Sequence, residues 1–213
     1  MVHRFWQVEE PDTATFHDDG RYEAVYSAER YRDTTGLYVV SMPLKPLHRN
    51  EPFPGSRQIN TLRFQNLERK LQADNVLYTA YKQFMSEYES LGHMSIAADA
   101  GTYYIPNHQV FNADSKKRVV FEASAKASSL LSLNQCLHTV PKLQLDILDI
   151  LTRFRLHRFV FTANVCKMYW KILMRPEYRS FQHMFRCSSP LEALKEYRLN
   201  TVTYGVNCAL FLA

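Results

Sequence analysis

The period of the apolar residues changes once, near Gly101, and this change constrains the fold more than any other feature of the 213-residue chain. From Ser56 the spacing is helical, with Ile59, Leu62, Leu67 and Leu71 on one face and Arg63, Glu68, Arg69 and Lys70 elsewhere. Asp74 or Asn75 can cap a second helix, in which Leu77, Tyr81, Phe84, Met85 and Tyr88 recur at helical spacing until Gly92 supplies a stop. That aromatic stripe reads as core. After Gly101, residues 102–105 and 118–123 read as strands on either side of the turn-rich stretch 112–115, a hairpin with a basic tip. Helices followed by strands predict an α+β fold.

The rest of the chain divides around this centre. Residues 1–56, rich in Tyr, Arg, Asp and Pro, read as an N-terminal connector with one strand-like stretch over 36–42, ended by Pro43. Residues 57–140 hold the two helices and the hairpin, and 141–213 form a third region. There Pro141 can open a helix that buries Leu143, Ile147, Ile150, Leu151 and Phe154. The alternating stretch 159–163 then reads as a strand that delivers one polar residue, Asn164, at its end, where rigid support could present a functional group. A turn or helix-cap asparagine has the same local signature. A second hairpin is expected around 188–190, and Gly205 punctuates the last apolar stretch.

Charge narrows the choice of partner. The net charge of +5 hides an asymmetry: residues 1–106 hold 11 Lys/Arg against 14 Asp/Glu, and residues 107–213 hold 15 against 7. A basic half attracts polyanions, and nucleic acid is the commonest of these inside cells. The N-terminus has no apolar signal region, and no stretch approaches the roughly 18 apolar residues of a membrane helix, so the expected location is intracellular, cytoplasmic or nuclear. The four cysteines, Cys136, Cys166, Cys187 and Cys208, lack zinc-site spacing and are expected to be buried thiols. Neither the eight histidines nor the serine-rich stretch SAKASSLLSLN sets out a metal-ligand constellation or a nucleophile with its base.

Taken in order, YYIPNHQVF, RVVFEASAKASSLLSLNQCL, PKLQLDILDILTRFR, FVFTANVCKMYWKI and YRLNTVTYGVNCALFLA resemble the reverse transcriptase region of Pao/BEL-type retrotransposon polyproteins, in degenerate and truncated form. The segments RFWQVEE, GLYVVSMPLK, RFQNLERKL and YKQFMSEYESLGHM are similar to the stretch joining that family's protease region to its polymerase fingers, so the resemblance covers nearly the whole chain. It implies reverse-transcriptase-like fingers with an incomplete right-hand palm and an ancestry in RNA-directed DNA polymerases. Such enzymes hold two magnesium ions roughly 3.5–4 Å apart, and magnesium requires anionic oxygen ligands. The resemblance places Asn164 where the family has a metal-binding aspartate, and Glu122 where it has another aspartate. Ala209 and Leu210 replace a Ser-Pro pair, and the family's Tyr-x-Asp-Asp-like hairpin is not reached.

The resemblance therefore implies a catalytically inactive segment with an incomplete magnesium site and no other cofactor. It also implies nucleotide contacts: Lys116, Lys117 and Arg118 on an incoming triphosphate, Tyr169 against a ribose 2′-hydroxyl, and Gly205 in a template-contacting turn. The expected partner is RNA or DNA, bound weakly and without sequence preference. The alternatives are a domesticated scaffold that binds proteins or itself, and a truncated piece of an active polyprotein.

Overall fold

A computed structural model describes residues 21–50, 52–111, 117–138, 145–163, 165–187 and 192–213. Helix α1 (Arg21–Glu29) leads into strands β1 (Tyr31–Arg32) and β2 (Tyr38–Val40). The helix pair follows as α2 (Ser56–Ala73) and α3 (Asn75–Ser90). Asp74 caps α3 by accepting from the Val76 and Leu77 N–H groups at 2.9 and 3.0 Å, and Gly92 ends the pair at φ +75°. Strands β3 (Met94–Ile96), β4 (Asn107–Phe111) and β5 (Lys117–Phe121) come next, then helices α4 (Leu133–Cys136) and α5 (Ile147–Arg155). The chain closes with β6 (Ile172–Met174), β7 (His183–Arg186), β8 (Lys195–Leu199) and α6 (Ala209–Leu212).

The fold is α+β. One sheet has the order β1-β2-β6, with β2 and β6 parallel, a second has the order β3-β8-β7, and β4 and β5 pair as a separate hairpin. The first two are stitched together: the Met174 N–H donates to Asn200 O at 2.8 Å and the Val202 N–H to Ile172 O at 2.9 Å. A single buried cluster runs from Val40, Met42 and Phe53 through Met85 and Tyr88 to Phe121, Met184, Leu199 and Leu212. Tyr88 sits within it, its ring 5.2 to 6.0 Å from those of His93, Trp170, Phe84 and Phe121. No helix among the described residues is long and apolar enough to cross a membrane.

Several expectations require correction. Leu62 does not face the core, because Phe64 does, and two helical residues lie about 200° apart around the axis. The expected turn over 112–115 lies outside the described residues, and the ladder runs 107–111 against 117–121 rather than from 102 to 105, since Pro106 has no N–H to contribute. Helix α5 forms, yet Ile147 and Leu151 are exposed rather than buried, and the stretch 159–163 is irregular and exposed rather than a strand. Apolar alternation becomes a strand only where a partner edge completes its hydrogen bonds, and the edge of β2 is taken by β6. The connector prolines do not form a plain extended link: Pro46–His48 is a 3₁₀ turn, and Pro43 O accepts from the His138 N–H at 2.8 Å. Cys136 and Cys208 are buried as expected, but Cys187 is only half-buried and Cys166 is exposed.

Candidate nucleic-acid interface

Three of the motifs meet at the end of β5. Gly205, at φ +95°, passes so close to this strand that a β-carbon on it would lie 2.0 Å from Phe121 O. The turn is held from both sides. Asn134, beside Ser132 at the start of α4, donates from Nδ2 to Ser124 Oγ at 2.8 Å and to Gly205 O at 3.1 Å, and its Oδ1 accepts from the Asn207 N–H at 2.9 Å. Next to Gly205, Tyr204 donates its hydroxyl to Val119 O at 2.6 Å. The Glu122 N–H donates to Pro106 O at 2.8 Å, which fixes the base of the hairpin.

Beside this junction a groove of about 420 Å³ lies between α2 and the hairpin. Its wall is Leu67, Leu71, Leu77 and Pro106, and its polar lining includes Arg63, Lys70, Asn107, His108, Gln109 and Glu122. Arg63 Nη1 is 2.6 Å from Glu122 Oε2, so the one carboxylate in the lining is already ion-paired. Asn107 is buried and accepts from the Tyr81 hydroxyl at 2.8 Å; burial raises the Tyr81 phenol above its ordinary range, keeping it a donor. Gln109 Oε1 is buried with no partner among the described residues, an acceptor left open toward the groove wall. Lys70 and His108 are exposed, and neither has an ion pair among the described residues.

The residues expected from sequence are placed unevenly. Lys116 and Asn164 lie outside the described residues. The backbones of Lys117 and Arg118 are on β5, in register with Phe111 and Val110. Tyr169 is half-buried against the core in a 3₁₀ turn over Met168–Lys171, next to Trp170, whose ring packs 4.8 Å from that of His93. Burial, and then Lys167 and Lys171, lower the His93 pKa, so this histidine is a neutral packing element. Glu122 and Gly205 do come together at the junction, through Phe121.

Much of the basic half is engaged in holding the fold. Arg186 is buried, with Nη1 2.5 Å from Glu89 Oε2 and Nη2 donating to Ser86 Oγ at 2.9 Å. Arg175 pairs with Glu177 at 2.7 Å and Glu29 at 3.6 Å, and Lys167 pairs with Glu87 at 2.5 Å. Lys126, Arg153, Arg155, Arg158 and Lys171 remain exposed, with no ion pair among the described residues.

Sequence reasoning missed two features. Arg63 and Lys70 belong to the acidic half and were given no binding role, yet they line the groove; Arg63 reaches a carboxylate 59 residues away. The second is a network at Glu196, whose Oε1 lies 2.7 Å from His183 Nδ1 and accepts from the Tyr104 hydroxyl at 2.7 Å and the Gly101 N–H at 3.1 Å. His183 is buried against Gly101, where a β-carbon would fall 2.4 Å from its ring, so the network serves to dock residues 101–104 on β7 and β8. Local spacing signals neither, because both join remote segments. No group of three or more His, Cys, Asp or Glu side chains able to hold a metal ion occurs among the described residues. Compared with protein-family models the chain matches none, and a search of curated proteins found no match.

Proposed function

We propose that the chain is a reverse-transcriptase-derived segment of the Pao/BEL type that holds RNA or DNA without sequence preference and does not polymerise. The observation that carries the binding half of this reading is one arrangement of basic residues. Lys117 and Arg118 occupy β5, and the base of the same hairpin opens on a groove where Arg63 and Glu122 cancel in an ion pair and Lys70 is left without one among the described residues. Phosphates are attracted to such a surface whatever the bases are. Support for the ancestry comes from the junction, where motif residues as far apart as Asn134 and Gly205 bond to one another. The donor set does not suit magnesium: Asn164 offers a neutral amide oxygen, and Glu122 is committed to Arg63.

Fluorescence anisotropy with labelled primer–template tests the reading. Affinity should fall steeply with salt and be similar for unrelated sequences. Replacing Lys116, Lys117 and Arg118 by glutamate should weaken binding and flatten the log–log salt slope by about one unit for each phosphate no longer neutralised. Glutamate at the exposed Arg49 and Lys82, away from the groove lining, should change little. Absence of salt-sensitive binding at low ionic strength would overturn the proposal. Magnesium-dependent primer extension should be undetectable, and Asn164→Asp alone should not restore it, because one ligand does not make a two-metal site.

A further inference from the structure

We infer that the outer edge of β4 is a docking site for an extended segment of a partner protein, which adds a strand beside Asn107 and Gln109 and sets a carboxylate against Lys70. The register of β4 with β5 fixes which backbone groups are open. The Glu122 N–H donates to Pro106 O at 2.8 Å, so 106 and 122 are a hydrogen-bonded pair, and in an antiparallel ladder such pairs alternate. His108 and Val110 therefore bond to Val120 and Arg118, while the N–H and C=O groups of Asn107 and Gln109 point away from β5. None of these four groups has a hydrogen-bond partner among the described residues. The opposite edge of the hairpin is closed, because Tyr204 donates to Val119 O at 2.6 Å and Gly205 lies against Phe121 O.

The groove beside the open edge selects the occupant. It lies between α2 and the hairpin with Leu67, Leu71 and Leu77 on its wall, so alternate side chains of an added strand meet an apolar surface. The carbonyls of Asn107 and Gln109 and the buried, unpartnered Oε1 of Gln109 are acceptors that require donors. A peptide backbone supplies N–H groups at strand spacing, whereas the phosphates of a nucleic acid supply none at neutral pH. A second copy of this chain would bring its own α2 into the groove along with its β4, so a single segment fits better than a paired edge. Arg63 and Glu122 cancel, and Lys70 has no ion pair among the described residues, which favours an acidic residue in the segment. The inference goes beyond the nucleic-acid reading and does not depend on the polymerase ancestry.

Two measurements on the full chain test it. In the free chain, amide hydrogen exchange should be faster at Asn107 and Gln109 than at His108 and Val110. A phage-displayed library of random peptides supplies the probe. Selected peptides should carry apolar residues at alternate positions with an Asp or Glu among them, and should slow exchange at Asn107 and Gln109. N-methylation of a selected peptide should weaken binding by about tenfold at every second position and leave it unchanged at the positions between, because only alternate N–H groups reach β4. That scan alters the peptide alone, so misfolding of the chain cannot explain it. Lys70→Glu, at an exposed site, should weaken binding by about fivefold. The inference is overturned if Asn107 and Gln109 exchange as slowly as their neighbours in the free chain, or if the library yields no peptide that slows them. It is equally overturned if N-methylation has no alternating effect, if Lys70→Glu leaves binding unchanged, or if single-stranded RNA or DNA protects those amides and peptides do not.

Discussion

Gly205→Ala separates a steric requirement from a merely conformational one. At φ +95° any residue with a β-carbon is strained, and that alone costs about 1–2 kcal/mol. The added methyl would also lie 2.0 Å from Phe121 O and 3.0 Å from its carbonyl carbon, both backbone atoms of the buried end of β5. Restoring ordinary contact requires the two segments to part by more than an ångström. That movement strains the bond from Asn134 Nδ2 to Gly205 O at 3.1 Å and the bond from the Tyr204 hydroxyl to Val119 O at 2.6 Å, each worth about 1 kcal/mol. The total is about 3–4 kcal/mol, a large share of the stability of an ordinary domain, and should lower the melting temperature by about 10 °C. Gly36→Ala is the reference: its φ is +84° but nothing lies within 4 Å of the added atom, so only the conformational cost applies. Urea unfolding followed by circular dichroism measures both. If the two variants lose stability equally, the close approach of Gly205 to β5 does not bear the weight assigned to it.

Two further outcomes are expected. Burial raises the Glu196 carboxyl, but hydrogen bonds from His183, Tyr104 and the Gly101 N–H outweigh it and hold the folded-state pKa below the ordinary 4.5. Glu196 thus stabilises the fold fully above about pH 4.5 and loses that effect as the pH falls through its lower folded value. Glu196→Gln should accordingly be less stable than wild type at neutral pH, with the gap closing on acidification; a gap that does not change with pH refutes the network. The cysteines should separate by accessibility: a neutral-pH thiol reagent should modify exposed Cys166 first, while Cys208, whose thiol burial pushes up to about 12, reacts only on unfolding. Equal labelling rates would contradict that placement.

What was legible in the sequence was mainly local. The α2–α3 pair could be read because Asp74 and Gly92 act on their own neighbours, and the pairing of β4 with β5 because the two strands flank one turn-rich stretch. The pairing of β7 with β8 was likewise expected, and its turn at 188–190 lies outside the described residues. What failed depended on remote partners. The alternation of 159–163 met every local criterion for a strand and lacked only an edge to pair with. The apolar side of α5 gave the right element and the wrong burial, since periodicity shows that a side is apolar without showing what covers it. The Arg63–Glu122 pair and the parallel pairing of β2 with β6 join segments with no mutual signal in the sequence.

The convergence of motif residues on one junction separates residues that serve the fold from residues that are free to serve a ligand. Asn134, Gly205 and the residues around Glu122 hold one another through backbone and amide contacts that involve neither metal nor nucleotide. Losing any of them costs the fold, so folding alone is a sufficient reason for their presence. The groove cations are different, since Arg63 and Lys70 are exposed and contribute little to stability. Packing residues and the basic residues of the hairpin should therefore respond differently to substitution. Changes at Asn134 or Gly205 should lower stability and nucleic-acid affinity together, whereas glutamates at Lys116, Lys117 and Arg118 should lower affinity at unchanged stability. If the hairpin substitutions unfold the chain as well, its basic residues serve the fold, and the charge asymmetry no longer argues for a bound polyanion.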